Sequence, residues 1–315
     1  MISDVATTLV DRVRHGAGLG VGLLAFILVL GGCDAVTDDD LGDATPQTPS
    51  VAGYVSQVRA LSALNTAVQG AGDLSVDLAN EQITLFAPVN DAFEPAIDPT
   101  LNRPVMREVL QHHIVSGAVT TDQLSDGQSV SPLSGRDLSI GVGDAVTVNR
   151  ATVTNPDADA TNGIVHVIDG LLINAVDRAA LTPQFTLFAR LVGEANLESA
   201  LQEAGANDGR TLFVPTNEAI LDRLDADDNG QLENDEIPSN AADILQYHVL
   251  DSVFLAADVP TSETAVETLE GTDLTVVRDG DVVNLDPNDE NARVTIPNVE
   301  VDNGVIHGID AVLTP

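Results

Sequence analysis

Thr84-Leu85-Phe86-Ala87-Pro88-Val89-Asn90-Asp91-Ala92 returns, little changed, as Thr211-Leu212-Phe213-Val214-Pro215-Thr216-Asn217-Glu218-Ala219. Two further blocks repeat in the same order. Leu110-Gln111-His112-His113 returns as Leu245-Gln246-Tyr247-His248, and Asn162-Gly163-Ile164-Val165-His166-Val167-Ile168-Asp169 as Asn303-Gly304-Val305-Ile306-His307-Gly308-Ile309-Asp310. Three ordered blocks make a tandem duplication, so one fold must account for both halves. The offset is 127 residues from 84 to 211, 135 from 110 to 245 and 141 from 162 to 303. The second copy therefore carries eight extra residues between its first two blocks.

Each copy reads as helices first and strands later, the signature of an α+β domain rather than an alternating α/β one. Ser50 is placed to cap a helix whose apolar face is Val51, Val55, Val58, Leu61, Leu64 and Val68, ending near Gly70 and Gly72. In the second copy Phe185, Phe188, Leu191 and Val192 begin the pattern, and Asn196 restarts it through Leu197, Leu201 and Ala204. A short strand follows in each, 84–88 or 211–215. Pro88 and Pro215 cannot donate to a ladder, so that strand stops there or lies at an edge. Next comes a helix in which Pro104 fits the first turn and Val105, Val109, Leu110 and His113 share a face. The matching face is Ala241, Ile244, Leu245 and His248. The period then drops to two through Leu138, Ile140, Val142, Val146, Val148, Ala151 and Val153. In the last block Ile164, His166 and Ile168 face one way, Val165 and Val167 the other.

The ends and the composition bound the location and the partners. Arg12 and Arg14 precede an apolar run from Val21 to Leu30, too short to span a bilayer comfortably. It closes in Leu30-Gly31-Gly32-Cys33, which resembles a bacterial lipobox: residues 1–32 would be removed and Cys33, the sole cysteine, lipidated. Residues 33–50 then read as a disordered acidic tether. The expectation is an exported protein, lipid-anchored to the cell envelope and facing the periplasm or the exterior. The membrane is met only through the lipid on Cys33. Against 49 acidic residues stand 13 basic ones, all of them Arg, for a net charge of −36. Such a surface repels nucleic acid and anionic headgroups, which excludes both as partners. Dense carboxylates without lysine also fit a high-salt habitat, against simple solubility of an exported chain.

At its three blocks the chain resembles the fasciclin (FAS1) family. The Thr-Leu-Phe-Ala-Pro strand with Asn90 to Phe93 is similar to the family's first conserved box. Tyr247-His248 is similar to its Tyr-His motif, and Asn303 to His307 to its second box. His112-His113 replaces Tyr-His in the first copy, and Asn217-Glu218-Ala219-Ile220 replaces Asn-Asp-Ala-Phe in the second. The resemblance implies two tandem fasciclin-like domains, 51–177 and 181–315, each a twisted β-wedge with packed helices. It also implies a role in cell adhesion or matrix contact, without enzymatic activity. In animal members residues near the Tyr-His motif are associated with integrin binding; the matching positions are Asp243, Ile244, Tyr247 and His248. The partner expected here is an unidentified protein or matrix component at the cell surface rather than an integrin. The alternative is a periplasmic or surface binding protein for an apolar small molecule.

Two residue sets remain to be weighed. His113 with His248 and His166 with His307 occupy equivalent positions, and Asp169 and Asp310 lie nearby. A metal centre would use such groups. Each histidine, however, sits on an apolar face with no cysteine or nucleophile beside it, which favours hydrogen-bonded core residues joining helix to strand. The eight extra residues fall where the second copy reads Asp225-Ala226-Asp227-Asp228-Asn229-Gly230-Gln231-Leu232-Glu233-Asn234-Asp235-Glu236. This fits an EF-hand loop over 225–236. Asp225, Asp227 and Asn229 stand at positions 1, 3 and 5, and Gly230 at 6 permits the turn. Gln231 offers its carbonyl at 7, Glu233 acts at 9 and Glu236 is bidentate at 12. An entering helix over 217–224 is plausible, whereas Pro238 blocks the exiting one. One weak, structural Ca²⁺ site is expected, set against the bland possibility of an acidic surface loop.

Overall fold

The computed structural model describes residues 47–72, 81–202, 209–286 and 291–315. Cys33, the signal segment and most of the 33–50 tether lie outside the described residues, as do Ala204 and Gly205. Residues 48–315 form one compact unit.

The first domain opens with α1 (Val51–Gln57), capped by the Ser50 side chain accepting from the Gly53 N–H, and α2 (Ser62–Ala71). The single helix expected from 51 to 68 is broken, because Val58 is extended and a 3₁₀ turn covers Arg59–Leu61. Asn90 explains the break. Its Oδ1 accepts from Ala63 N at 2.9 Å and its Nδ2 donates to Arg59 O at 3.2 Å, so the first block fixes where the second helix starts. Asn217 does the same in the second domain, accepting from Leu187 N at 2.9 Å.

β1 (Ile83–Pro88) precedes α3 (Arg103–His112), and β2 (Ile114–Ser116), β3 (Ser129–Val130), β4 (Leu138–Val142), β5 (Val146–Val148), β6 (Ala151–Ala160) and β7 (Gly163–Ile168) complete the first domain. The second domain comprises α4 (Ala175–Leu181), α5 (Thr186–Glu194), α6 (Glu198–Gln202), β8 (Arg210–Pro215), α7 (Asn217–Leu224), α8 (Ala241–Tyr247) and β9 (Val249–Leu250). It ends with β10 (Thr264–Glu267), β11 (Asp273–Asp279), β12 (Val282–Leu285), β13 (Ala292–Val301) and β14 (Gly304–Ile309). The boundary expected between 177 and 181 thus falls inside a helix.

The two sheets share one topology, β2-β1-β7-β6-β5-β4-β3 and β10-β11-β12-β13-β14-β8-β9 read from opposite ends. The first-block strand runs parallel to the last-block strand, with Ile83 opposite Gly163 and Pro88 opposite Ile168. β1 is interior to its sheet and stops at Pro88, beyond the last β2 partner, so the missing N–H costs no ladder bond. Both strands are buried along their whole length. On one side Leu85, Ala87, Val165 and Val167 join the helices in a core that runs on into the second domain. On the other, Phe86 and Ile168 meet Leu138, Ile140 and Val148 in a smaller core.

The Asn-Gly pair of the last block has a steric cause. Gly163 and Gly304 hold φ of +152° and +144°, and a Cβ there would sit 1.8 Å from Ile83 O and 1.9 Å from Arg210 O. Only glycine lets the two parallel strands approach this closely. The asparagine beside it secures the domain's opening helix. Asn162 Oδ1 accepts from Val51 N and Asn303 Oδ1 from Ala175 N, both at 2.9 Å. By this criterion α4 is the counterpart of α1 and opens the second domain.

Candidate functional site

The insertion forms a closed loop directly after α7. Asp228 and Gly230, at φ +56° and +79°, reverse the chain. Asp225 accepts from Asn229 N at 3.2 Å and Gly230 N at 2.7 Å, while Asn229 Oδ1 accepts from Gln231 N at 2.8 Å. Glu236 folds back across the loop, its two oxygens accepting from Ala226 N at 2.7 Å and Glu233 N at 2.9 Å. Those backbone donors hold the Glu236 pKa below the usual carboxylate value. Glu233 behaves oppositely: the Asn229 amide lowers its pKa, but the hydrogen bond and charge of Glu236, with burial and Asp227, leave it raised.

Oxygens of Asp225, Asp227 and Glu236 lie within 4.8 Å of one another. That donor set is hard and anionic, which suits Ca²⁺. Leu232 turns inward and is buried with the helical core. Arg190, on α5, donates to Leu232 O and, at 2.6 Å, to Asn234 Oδ1. Local pattern reading missed Arg190, which lies more than forty residues away and shares no motif with the loop. No helix leaves the loop directly, since α8 begins only at Ala241.

The paired histidines are cross-links. His113 Nδ1 lies 2.8 Å from Val109 O, one turn back, and Nε2 accepts from Leu172 N at 2.9 Å. His248 repeats this with Ile244 O at 2.8 Å and Leu313 N at 3.0 Å. Burial pushes both pKa values down to about 4, so both rings are neutral at pH 7. His166 Nε2 meets Val119 O at 2.9 Å and Nδ1 accepts from Asp157 N at 3.1 Å; His307 meets Phe254 O at 2.8 Å and Asn298 N at 3.2 Å. Phe86 and Phe213 stack on these two rings. Every ring nitrogen of the four is committed to the backbone, which leaves none for a metal.

α8 and its C-cap His248 carry the four positions singled out for partner contact, and they divide. Asp243 is exposed and Ile244 half-buried, whereas Tyr247 and His248 are 4% and 1% exposed. The Tyr247 hydroxyl is held by Asp286 Oδ2 at 2.9 Å and Asp273 O at 3.2 Å. Tyr247 and His248 therefore set the pose of the helix, and of the four only Asp243 and Ile244 reach the surface. Ile244 borders an apolar groove of about 400 Å³ lined also by Phe188, Leu191, Ile220, Leu224 and Val312.

Between the domains, His112 Nδ1 lies 2.8 Å from Ser134 Oγ and Nε2 3.3 Å from Asp302 Oδ2. The order serine–histidine–aspartate has a hydrolase sound. Yet Arg136 N also donates to Ser134 Oγ, and the adjoining cleft is lined by His112 and Arg136 rather than by Ser134. The arrangement ties the domains, alongside Asp302 N donating to Ile173 O at 2.7 Å. Asp177 is buried nearby, where desolvation raises its pKa although Arg136 lies 3.3 Å away.

Known proteins share this pattern. The fasciclin domain family matches residues 59–174 and 183–315. Transforming growth factor-beta-induced protein ig-h3 of Sus scrofa is 35% identical over 60% of this chain, and stabilin-2 of Rattus norvegicus 29% over 85%. The chain spans only 28% and 19% of the length of those two relatives. Protein sll1483 of Synechocystis is 33% identical over 41% of this chain and 76% of its own length. Among solved structures, a FAS1 domain pair from the insect cell adhesion molecule fasciclin I aligns at a TM-score of 0.39 and 20% identity, covering 81% of this chain and 97% of that one. With matches to both halves, and with the repeated blocks placed equivalently in both, the chain belongs to the fasciclin domain family and carries two such domains in tandem.

Proposed function

We propose that this protein works by surface contact rather than catalysis: an exported, lipid-anchored adhesion or matrix-interaction protein whose second domain is stabilised by one Ca²⁺. Family membership over both domains supports the adhesive role. The single observation that carries the calcium reading is the convergence of Asp225, Asp227 and Glu236 within 4.8 Å on a loop closed by Glu236 and braced by Arg190. Asp225, Asp227, Asn229, the Gln231 carbonyl, Glu233 and Glu236 would hold the ion. Its role there is to offset crowded negative charge and to fix the path from α7 to α8. Affinity on the order of 10⁻⁴ to 10⁻³ M is expected for an extracellular module of this type. Lipidation of Cys33 and the acidic tether would hold the domains off the membrane.

Calorimetric titration of the protein and of Glu236→Gln tests the ion site; equal binding by both removes it. Retention of the protein on surface extracts, with calcium and with chelator, tests the adhesive role, and no retention in either condition defeats it. The apolar groove beside Ile244, at about 400 Å³, favours a second reading as a carrier of an apolar small molecule. Extraction and mass spectrometry of co-purifying lipids separates the two.

A further inference from the structure

The chain contains three Asn-Gly pairs, Asn162-Gly163, Asn229-Gly230 and Asn303-Gly304. In such a pair the side-chain amide is open to attack by the next backbone nitrogen, because glycine has no Cβ to hinder the approach. Two of the three are held against that reaction. The Asn162 amide accepts from Val51 N at 2.9 Å and donates to Glu81 O at 3.0 Å. The Asn303 amide accepts from Ala175 N at 2.9 Å and donates to Leu201 O at 2.7 Å. Both ends of each carboxamide are thus committed to distant backbone. Gly163 and Gly304 are buried in the sheets, packed so closely against Ile83 and Arg210 that the peptide has no room to turn.

Asn229-Gly230 is the reverse case. Both residues are exposed, and nothing stands within 4 Å of where a Gly230 Cβ would lie. Asn229 Oδ1 accepts from Gln231 N at 2.8 Å, two residues on, so the carboxamide folds over the Gly230 peptide in an Asx turn. This sets Asn229 Cγ beside the nitrogen that attacks it. The Gln231 N–H donates to the very oxygen on which negative charge develops. Gly230 N donates to Asp225 Oδ2 at 2.7 Å, which gives its proton a path to water, and Nδ2 donates to Glu233 Oε1 at 3.0 Å. Nucleophile, carbonyl, oxyanion donor and leaving group therefore share one exposed turn.

We propose that Asn229 is a self-modification site: in the folded protein it deamidates through the Gly230 nitrogen, while Asn162 and Asn303 stay intact. Gly230 N bonds to Asn229 Cγ, the Cγ–Nδ2 bond breaks, and Nδ2 leaves as ammonia, the proton lost by Gly230 balancing the one ammonia gains. The product is a cyclic succinimide. Water opens the ring at either carbonyl, giving aspartate or isoaspartate, so that amide and water become carboxylic acid and ammonia overall. Either product adds a negative charge to a loop that already holds Asp225, Asp227, Asp228, Glu233 and Glu236. Aspartate keeps an oxygen at position 5 of the loop. Isoaspartate instead lengthens the main chain by a methylene between Asp228 and Gly230 and breaks the ligand spacing. The modification itself is independent of any ion; its consequence for calcium rests on the site proposed above.

Peptide mapping by mass spectrometry tests it, on the folded full chain incubated for weeks in neutral buffer with chelator. Because the chain has no lysine, arginine-specific cleavage puts the three pairs on separate peptides, 151–178, 224–278 and 294–315. Fragment spectra separate Asn229 from Asn234 and Asn240 on the second of these. The expected result is a gain of one mass unit at Asn229, about tenfold or more faster than at Asn162 or Asn303, with isoaspartate among the products. In urea, where local sequence alone remains, the three rates converge. Equal rates at the three pairs of the folded chain, or a spread that persists in urea, overturns the proposal. Calorimetry on the isoaspartate form, separated by anion exchange, reads the consequence: calcium binding is lost there and kept by the intact chain. Equal binding by both forms overturns that consequence. If neither form binds, the ion site fails while the modification stands.

Discussion

The imidazole of His248 accepts the backbone N–H of Leu313 at 3.0 Å while its other nitrogen lies 2.8 Å from the carbonyl of Ile244, so one ring joins α8 to the segment that follows β14. His113 makes the same join in the first domain, between Val109 and Leu172.

A pH dependence follows, and its sign is fixed. In the folded state both pKa values are pushed down to about 4, below the ordinary 6.5, by burial. The unfolded chain takes up protons first as pH falls. Stability contributed by neutral His113 and His248 is complete above pH 6.5, declines through the window and is lost near pH 4. Each ring contributes a slope of at most about 1.4 kcal/mol per pH unit. Urea unfolding midpoints between pH 7 and 4 should fall steadily, and His248→Gln should flatten that fall; a midpoint constant over the window contradicts the assignment.

Among the described glycines of the second domain, Gly304 has the tightest surroundings. A Cβ would meet Arg210 O at 1.9 Å and the φ of +144° is itself hostile to side chains. Gly304→Ala must either pry β14 from β8 or unfold the pair. Destabilisation of about 3 kcal/mol or more is expected, measured by chemical denaturation. Gly143→Ala, on a bend of the first domain where nothing approaches within 4 Å, should cost far less and serves as the control.

Arg190 should matter to the proposed calcium site although it touches none of the proposed ligands. Its bonds to Leu232 O and Asn234 Oδ1 hold the second half of the loop against α5. Arg190→Met keeps the aliphatic stem and removes both donors. Calcium affinity should drop several-fold with unchanged stoichiometry, because the loop must then be ordered by the ion itself. Titration calorimetry on both proteins decides it, and an unaltered Kd means the brace is irrelevant to the site.

The domain junction offers a double-mutant test. His112 is 4% exposed at its side chain and Asp302 13%, with Nε2 and Oδ2 3.3 Å apart. Asp302→Asn and His112→Gln should each destabilise. Their combination should cost less than the sum, with a coupling of about 0.5–3 kcal/mol. Strict additivity in urea denaturation means the pair does not link the domains.

Sequence periodicity located the helices, the strands and the loop because each is a local pattern. Val105 to Leu110 read as an amphipathic turn, and 225–236 as a run of oxygen ligands. What escaped was everything set by contacts between distant segments. Val58 looks like one more apolar helix position, yet Asn90, far along the chain, ends the helix by claiming Arg59 O and Ala63 N. The helix at the junction, α4, went unread for the same reason. Nothing in 175–181 announces that Asn303 holds its first N–H. Tyr247 and His248 illustrate a third limit, since a motif shows that residues recur without showing whether they face solvent or core.

The charge makes the last prediction. A net charge of −36 over 315 residues with no lysine leaves mutual repulsion among carboxylates largely uncompensated. Exposed ion pairs contribute little by comparison: Arg136 to Glu108 spans 3.8 Å with its acidic side half open to solvent, and in the Arg210 pair Asp251 is 37% exposed. At low ionic strength this repulsion acts across the whole surface. Screening shrinks its range to about 3 Å at 1 M salt. Tm should therefore rise steeply between 0.01 and 1 M NaCl, with chloride and sulfate salts agreeing at equal low ionic strength, where screening rather than ion-specific exclusion dominates. In the second domain calcium should raise Tm further at low salt through Asp225, Asp227 and Glu236, and Glu236→Gln should remove that increment while leaving the sodium effect intact. A Tm insensitive to salt means the acidic surface is not self-destabilising, and the high-salt reading of its composition then fails with it.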